Sequence, residues 1–348
     1  MIRVVTEIIE GSGREPSADA TLRRVLKARK SIDARTAREI AETVFAYYRW
    51  FGWLNPRDPI PKQVRQAQEL DRNPPADLSR AVPDWIKDEV KVSSEWLRSL
   101  QEKPRLWIRA RSGQSAALAL KLGDCEPGPI QDALEYRGVK DLFSTAEFKT
   151  GEVEVQDIAS QMVGLACSPK RGETWWDACA GEGGKLLHLS DLMQNKGLIW
   201  GSDRAQWRLD RLKRRAGRAR VFNYRLVIWD GGARLPTKTK FDGILIDAPC
   251  SGTGTWGRNA QARWTLTRQD IAELKQLQIQ LIQNARPALK PSGRLIYSVC
   301  TLARSETLDV VQAVESSLGQ PQITWLWPQE TRGNGMFIAV WTPNPGVH

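Results

Sequence analysis

Asp177-Ala178-Cys179-Ala180-Gly181-Glu182-Gly183-Gly184-Lys185 is the stretch on which the fold turns. It follows an apolar run, residues 174–178, that reads as a strand, and it opens a helix through Leu186, Leu187 and Leu189. Glycines here let the backbone turn tightly and approach a ligand closely, while the helix N-terminus offers free N–H groups. Moving outward, the same alternation recurs: strands are predicted over 174–178, 198–202, 226–229, 241–247 and 294–298, with helical segments between them. The helix over 268–289 opens with a Thr267-x-x-Asp270 capping pattern and stops before Pro291 and Gly293. Residues 323–326 and 336–341 read as a closing antiparallel pair. The pattern predicts an α/β, Rossmann-like doubly wound sheet, whose ligands sit at the carboxyl ends of its strands.

Those ends carry acids. Asp203 follows Gly184 by 203 − 184 = 19 residues at the end of the next strand, where a carboxylate can accept both hydroxyls of a ribose. Asp230 ends the third strand, placed to meet an adenine. The loop lacks the Lys-Ser/Thr of a phosphate-binding loop, and Glu182 would repel a pyrophosphate. A ring of Asp177, Glu182, Asp203, Asp230 and Asp247 suits a sulfonium-bearing nucleoside far better than a nucleotide.

Two cysteines fall at the same edge. The strand over 241–247 delivers Asp247-Ala248-Pro249-Cys250-Ser251-Gly252, and the strand over 294–298 delivers Ser298-Val299-Cys300-Thr301. A thiolate is a strong nucleophile whose pKa is easily lowered, and Asp247 could hold a substrate ring by a hydrogen bond. Carbon 5 of a cytosine becomes reactive only after a nucleophile adds at carbon 6; of two thiols, one can form that adduct while the other assists its release. The five cysteines are odd in number and include no C-x-x-C pair, which argues against a disulfide framework or a zinc site. With only His188 and His348, a histidine-rich metal site is excluded as well.

At these residues the sequence resembles the Sun-type (Fmu-like) family of RNA cytosine-5 methyltransferases. The family's D-x-C-A-x-x-G-G-K loop is similar to Asp177 through Lys185, its D-x-P-C-S-G motif to Asp247 through Gly252, and its Y-x-x-C-S/T-L motif to Tyr297 through Leu302. Residues 155–161 resemble its lead-in to the catalytic domain. The resemblance implies S-adenosyl-L-methionine as cofactor, Cys300 as nucleophile, Cys250 as the thiol that promotes release, and Asp247 and Lys185 beside them. It implies a cofactor site built from Ala178, Cys179, Ala180, Gly181, Glu182, Gly183, Gly184, Lys185, Asp203, Arg208, Asp230 and Asp247. It also implies RNA as partner, with rRNA favoured over tRNA. Glu182 stands where a proline is usual, Ala260-Gln261 replaces Pro-Asp before Arg263-Trp264, and Ser305-Glu306-Thr307 replaces Glu-Asn-Glu. Two other readings are weaker. A non-catalytic RNA-binding or ribosome-assembly protein has no need of both cysteines, and an amino-group methyltransferase would want an Asn/Asp-Pro-Pro-aromatic turn.

The rest of the chain agrees with a nucleic-acid partner. Its 348 residues carry 51 Lys and Arg against 40 Asp and Glu, a formal charge of +11, which favours a polyanion. That length predicts two or three domains, drawn here as 1–72, helical and antitermination-factor-like; 83–155, a small α+β unit; and 156–348, the methyltransferase domain. Helices are expected over 17–54, with Arg23, Arg24, Lys27, Lys30, Arg35 and Arg38 interleaved, and over 85–100 and 115–122. Arg109 and Arg111 follow an expected strand and are candidates for a phosphate contact. After Asp203, Arg204, Arg208, Arg211 and Arg215 share one helical face and form a candidate RNA stripe that Lys213, Arg214 and Arg218 widen. No apolar run approaches the ~18 residues needed to cross a bilayer, so a soluble, cytoplasmic monomer is expected.

Overall fold

The computed structural model describes residues 1–29 and 31–342; Lys30, one of the interleaved basic residues, lies outside them. The chain divides into two units, Met1–Lys103 with Thr255–Thr267, and Pro104–Gly254 with 268–342.

In the first unit, helices Ile2–Glu10, Ala18–Ala28, Ala34–Arg49 and Ile60–Arg72 converge on a core of Val5, Ile8, Leu22, Ile40, Val44, Tyr47, Trp50 and Val64. Asp33 caps the third helix by accepting from the Thr36 N–H at 2.8 Å, and Ser17 caps the second. The returning segment Thr255–Thr267 is built into this core. Trp256 stacks on Trp96 at 6.1 Å, and the Trp264 indole donates to the Tyr48 carbonyl at 2.8 Å. Arg263 is fully buried and donates to the carbonyls of Trp256, Ala81 and Leu100; burial pushes its pKa down to about 9. Gln261, one of the departures from the family pattern, accepts from the Ala18 N–H at 2.6 Å and donates to the Gly13 carbonyl at 2.9 Å. The division differs from the expected boundaries because residues 83–103 and 255–267 bury their apolar side chains in the first unit. The helix expected over 85–100 is a 3-10 turn, Asp84–Asp88, followed by a short helix, Ser94–Ser99, that Ser93 caps.

In the second unit, the described strands form two sheets. The smaller has the order β2-β3-β1-β4, from β1 (Trp107–Ala110), β2 (Cys125–Pro127), β3 (Ala133–Tyr136) and β4 (Val153–Val155), with helix Ser115–Leu122 packed on it. The larger has the order β10-β11-β9-β8-β5-β6-β7, built from β5 (Thr174–Asp177), β6 (Leu198–Asp203), β7 (Tyr224–Ile228), β8 (Phe241–Asp247), β9 (Leu289–Val299), β10 (Gln322–Leu326) and β11 (Met336–Trp341). Strands β5 to β9 are parallel, and β10 and β11 close the edge antiparallel, as the alternation predicted.

Successive residues alternate between two cores: Trp175, Leu245 and Ile296 on one face, Trp176, Ile244, Ile246, Leu295 and Tyr297 on the other. Both faces are covered, hence the near-continuous apolar strands. From β5 the chain continues to β6 and β7 on one side, whereas β8 and β9 lie on the other, so a crevice opens between the C-termini of β5 and β8. Strand β9 begins at Leu289 rather than 294, and the preceding helix ends at Ala285, because Pro287 tightens the next turn into a 3-10 helix. No described helix is long and apolar enough to cross a membrane.

Candidate active site

Each wall of the crevice is set by backbone geometry first. Gly183 caps helix Gly184–Leu192 at φ +90°, and a Cβ there would fall 2.6 Å from Leu212, so the turn needs glycine on both counts. Gly181 donates its N–H to Asp203 at 3.1 Å, and the Ala205 N–H donates to the other Asp203 oxygen at 2.8 Å. Two loops are thereby pinned to one buried carboxylate, whose remaining lone pairs stay free for a ligand. Arg208 stands 3.7 Å from the same carboxylate, and the Asp230 carboxylate is held by the Gly232 N–H at 2.9 Å.

The resulting cleft, about 520 Å³, is lined by Asp177, Ala178, Cys179, Ala180, Gly181, Glu182, Gly184, Lys185, Asp203, Arg208, Asp230, Asp247 and Cys250, with Ser160, Arg204, Arg215, Trp229 and Leu281 among its other walls. Every residue expected at the cofactor site lines it except Gly183, whose part is conformational. Cys300 does not line it either, but touches Cys250, which does. Burial pushes the Cys179 thiol well up, which leaves it a neutral wall rather than a reactive group.

At the other end of the cleft the Cys250 and Cys300 sulfurs lie 3.3 Å apart. The hydrogen bond from the Cys250 thiol lowers the pKa of Cys300 against burial and the Asp247 charge, with Lys185 assisting; the same bond and burial push Cys250 well up. Of the two thiols, Cys300 is therefore the one that gives up its proton more readily, with Cys250 as the donor beside it. Lys185 Nζ lies 2.7 Å from Asp247 Oδ2, and the Ser298 hydroxyl donates to Oδ1 at 2.9 Å. Burial works against the Lys185 ammonium, yet Asp247 outweighs it and holds the pKa above its usual value. Asp177 contrasts with all of these. It is buried and its two carboxylate oxygens have no hydrogen-bond partner, and burial, with Asp247 adding repulsion, pushes its pKa up to about 7.

Several expected contacts are redirected. Arg109 is buried inside β1 and donates to Asp191 at 2.7 Å and Gln156 at 2.8 Å; Arg111 joins Asp191 at 3.0 Å. Both tie the small sheet to helix Gly184–Leu192, so Arg109 cannot meet a phosphate. Arg215 pairs with the buried Glu154 at 2.9 Å, Arg218 also pairs with Glu154, and Arg211 pairs with Glu182 at 2.6 Å. Of the stripe, Lys213 and Arg214 are exposed on helix Gln206–Arg218, and Arg204, just before it, is exposed at the edge of the cleft. The residue missed altogether is Glu306, which sequence reading treated as part of an altered loop. It is fully buried between the two cysteine loops, and no local pattern announces an acid in that position.

Residues 164–317 match the family described as "16S rRNA methyltransferase RsmB/F". The ribosomal RNA small subunit methyltransferase B of Yersinia pseudotuberculosis (strain IP 31758) is 30% identical over 303 residues, which cover 80% of this chain and 70% of that protein. The chain belongs to the RsmB/F family. This is the group its motifs resembled under the Sun-type name. The corresponding protein of Shewanella oneidensis is also 30% identical, over 288 residues, covering 78% of this RsmB/F-family chain and 65% of the relative, so the chain spans just under two thirds of that length. A solved structure described as PH0851 superposes with a TM-score of 0.80 at 23% identity over 97% of both chains, a match of fold. The fold is thus shared along nearly the whole chain.

Proposed function

We propose that this RsmB/F-family protein is an S-adenosylmethionine-dependent RNA cytosine-5 methyltransferase. The observation that carries the reading is the thiol pair at 3.3 Å beside a cleft lined by carboxylates. The residues fit the cofactor: the orphaned Asp177 oxygens and the paired Asp203 acceptors suit a ligand with a cationic end and a ribose, and three cations of the cleft are matched by carboxylates, Lys185 by Asp247, Arg208 by Asp203 and Arg215 by Glu154. Bound there, S-adenosylmethionine supplies an electrophilic methyl group. Asp203 and Asp230 would hold its nucleoside, with Arg208 and the loop from Ala178 to Lys185 closing around it.

The protein's own residues do the rest. The Cys300 thiolate adds to carbon 6 of the target cytosine, which makes carbon 5 nucleophilic. Asp247, fixed by Lys185 and Ser298, faces the base edge and favours the addition. Cys250 gives up its hydrogen bond to Cys300 as that sulfur becomes covalently engaged. Cys250 then passes its proton to solvent water and, as a thiolate, takes the carbon 5 proton, while the bond between carbon 6 and the Cys300 sulfur breaks and its electron pair returns to Cys300. The target base must be unstacked to reach Cys300. We assign rRNA as the substrate class, in keeping with the family, with the helical N-terminal unit and the small sheet holding the RNA and a monomer acting in the cytoplasm.

Bisulfite sequencing of total RNA from cells with and without the gene tests the reading. A cytosine protected only when the gene is present is expected. Identical rRNA and tRNA patterns in the two cultures would overturn it.

A further inference from the structure

Beyond the residues that touch substrate or cofactor, one buried group contacts both cysteine loops at once. Glu306 is fully buried, in a 3-10 turn just before helix Leu308–Leu318. Its Oε1 accepts the Ser251 N–H at 2.9 Å and the Gln278 amide at 2.9 Å. Its Oε2 accepts the Thr301 hydroxyl at 3.0 Å and the Ser251 hydroxyl. Gln278 in turn donates to the Pro249 carbonyl at 2.8 Å and takes the Tyr297 hydroxyl at 3.0 Å, while that hydroxyl also reaches the Glu306 carbonyl at 2.7 Å. Pro249 and Ser251 flank Cys250, and Thr301 follows Cys300. One carboxylate and one amide therefore fix the residues on either side of the first thiol and the residue after the second.

A second set of bonds joins the same loops without Glu306. The Thr253 and Thr301 hydroxyls lie 2.9 Å apart, Thr253 accepts the Leu302 N–H at 2.7 Å, and the Gly254 N–H donates to the Cys300 carbonyl at 3.1 Å. With that scaffold in place, loss of Glu306 should shift the loops rather than unfold them.

From this we infer that Glu306 is a positioning residue, holding Cys250 and Cys300 within hydrogen-bond reach so that one thiol stabilises the other as a thiolate. The inference rests on the proposed function only for what the thiols then do. All four acceptor positions of Glu306 are engaged, the state of an ionised carboxylate, although burial pushes its pKa up. A bare carboxylate near a thiolate is electrostatically unfavourable, so its presence is explained by geometry rather than by charge.

The test reads Cys300 directly and needs no RNA. Purified full-length protein is alkylated with iodoacetamide across pH, and Cys300 modification is followed by peptide mass spectrometry. The groups facing Cys300 that also titrate or carry charge are Cys250, Asp247 and Lys185, with Glu306 behind them, so each variant is compared with Cys250→Ala. Glu306→Ala should move the Cys300 profile toward higher pH, as Cys250→Ala does. Glu306→Gln, which keeps an acceptor for Ser251 and a donor for the hydroxyls, should restore most of the wild-type profile. In turnover, Glu306→Ala should lower kcat about 100-fold, the cost of a misplacement near 1 Å, with KM and the cofactor Kd within about twofold. If Glu306→Ala does not fold, judged by circular dichroism and cofactor binding, Ser251→Ala removes one arm, leaves the bonds of Thr253, Leu302 and Gly254 in place and should give a smaller shift in the same direction. An unchanged Cys300 profile in a folded Glu306→Ala or Ser251→Ala protein overturns the inference. Absence of methyl transfer in the wild type would instead overturn the proposed function and leave the alkylation result standing.

Discussion

Asp247 and Asp177 end neighbouring parallel strands, β8 and β5, and face the same cleft, yet they are treated in opposite ways. Asp247 has a cation at 2.7 Å on one oxygen and a hydroxyl at 2.9 Å on the other. Asp177 has no partner on either oxygen, and burial pushes its pKa up to about 7, so protonated and ionised forms coexist near neutral pH. The difference separates two tasks. A group that must act on a substrate ring is worth fixing beforehand, since reorganisation at the moment of reaction is avoided. A group that must receive a cation keeps its acceptors open and carries a desolvation penalty until the ligand arrives. The half of the cleft around Cys250, Cys300, Lys185 and Glu306 is of the first kind; the half around Asp177 is of the second.

The largest expected effects fall in the fixed half. Cys300→Ala should abolish methyl transfer while calorimetry shows cofactor binding intact; measurable turnover in the purified variant would remove Cys300 from the chemistry. Cys250→Ala should leave attack possible but slow release, so a shifted protein–RNA band should accumulate on a denaturing gel. Lys185→Met leaves the half-buried Asp247 without its cation, and turnover should drop about 100-fold or more, in the range of losing one preorganised electrostatic contact. If Lys185→Met turns over normally, Asp247 is not held for catalysis and the contrast with Asp177 loses its meaning.

The open half makes a pH prediction with a definite sign. The Asp177 pKa is raised in the folded protein from an ordinary 3.8 to about 7, so between these values the folded state binds more protons than the unfolded one. The Asp177 contribution to stability without cofactor is therefore fully present below pH 4, lost as pH rises to 7 and level above it, a span of up to about 4 kcal/mol. Asp177→Asn should flatten this dependence and raise the melting temperature above pH 7. The same variant should weaken S-adenosylmethionine binding about tenfold, roughly 1.4 kcal/mol, most clearly above pH 7 where the wild-type carboxylate is ionised. Equal slopes of stability against pH in wild type and variant would show that Asp177 is already satisfied in solution.

How much of this was legible in the sequence follows from the range of the interactions involved. The strands, the glycine turn and the acids at strand ends are encoded within a few residues each, and the alternation of segments carries the sheet. Motifs placed Cys250 and Cys300 at one edge, although only the fold brings residues 50 positions apart to 3.3 Å. Arg109, Arg215 and Glu306 misled because their partners are distant in the chain: Asp191, Glu154 and Ser251 respectively. A periodic row of arginines looks the same in sequence whether its charges face solvent or a buried acid. The first unit extends past residue 72 for a related reason, since Trp256 and Trp264, nearly 200 residues later, pack into it.

The smallest expected effect extends the same contrast to the arginines on and just before helix Gln206–Arg218. Arg215 and Arg218 share Glu154, which is only 5% exposed, so both are engaged as Asp247 is. Arg204 and Arg214 are exposed and resemble the open half of the cleft. Removing Arg215 leaves Glu154 with one cation in place of two, and should lower stability by about 1 to 2 kcal/mol with no specific change in RNA affinity. Arg204→Ala with Arg214→Ala should do the reverse, leaving the melting temperature in place. If both side chains contact phosphates, each releases a counterion on binding, and the slope of log affinity against log salt should fall by about one to two units. Filter binding across a salt series, run beside thermal melts, separates the two outcomes. A flat salt response in the Arg204/Arg214 variant, together with RNA loss in Arg215→Ala, would mean that engagement inside the protein does not predict which arginines meet the substrate.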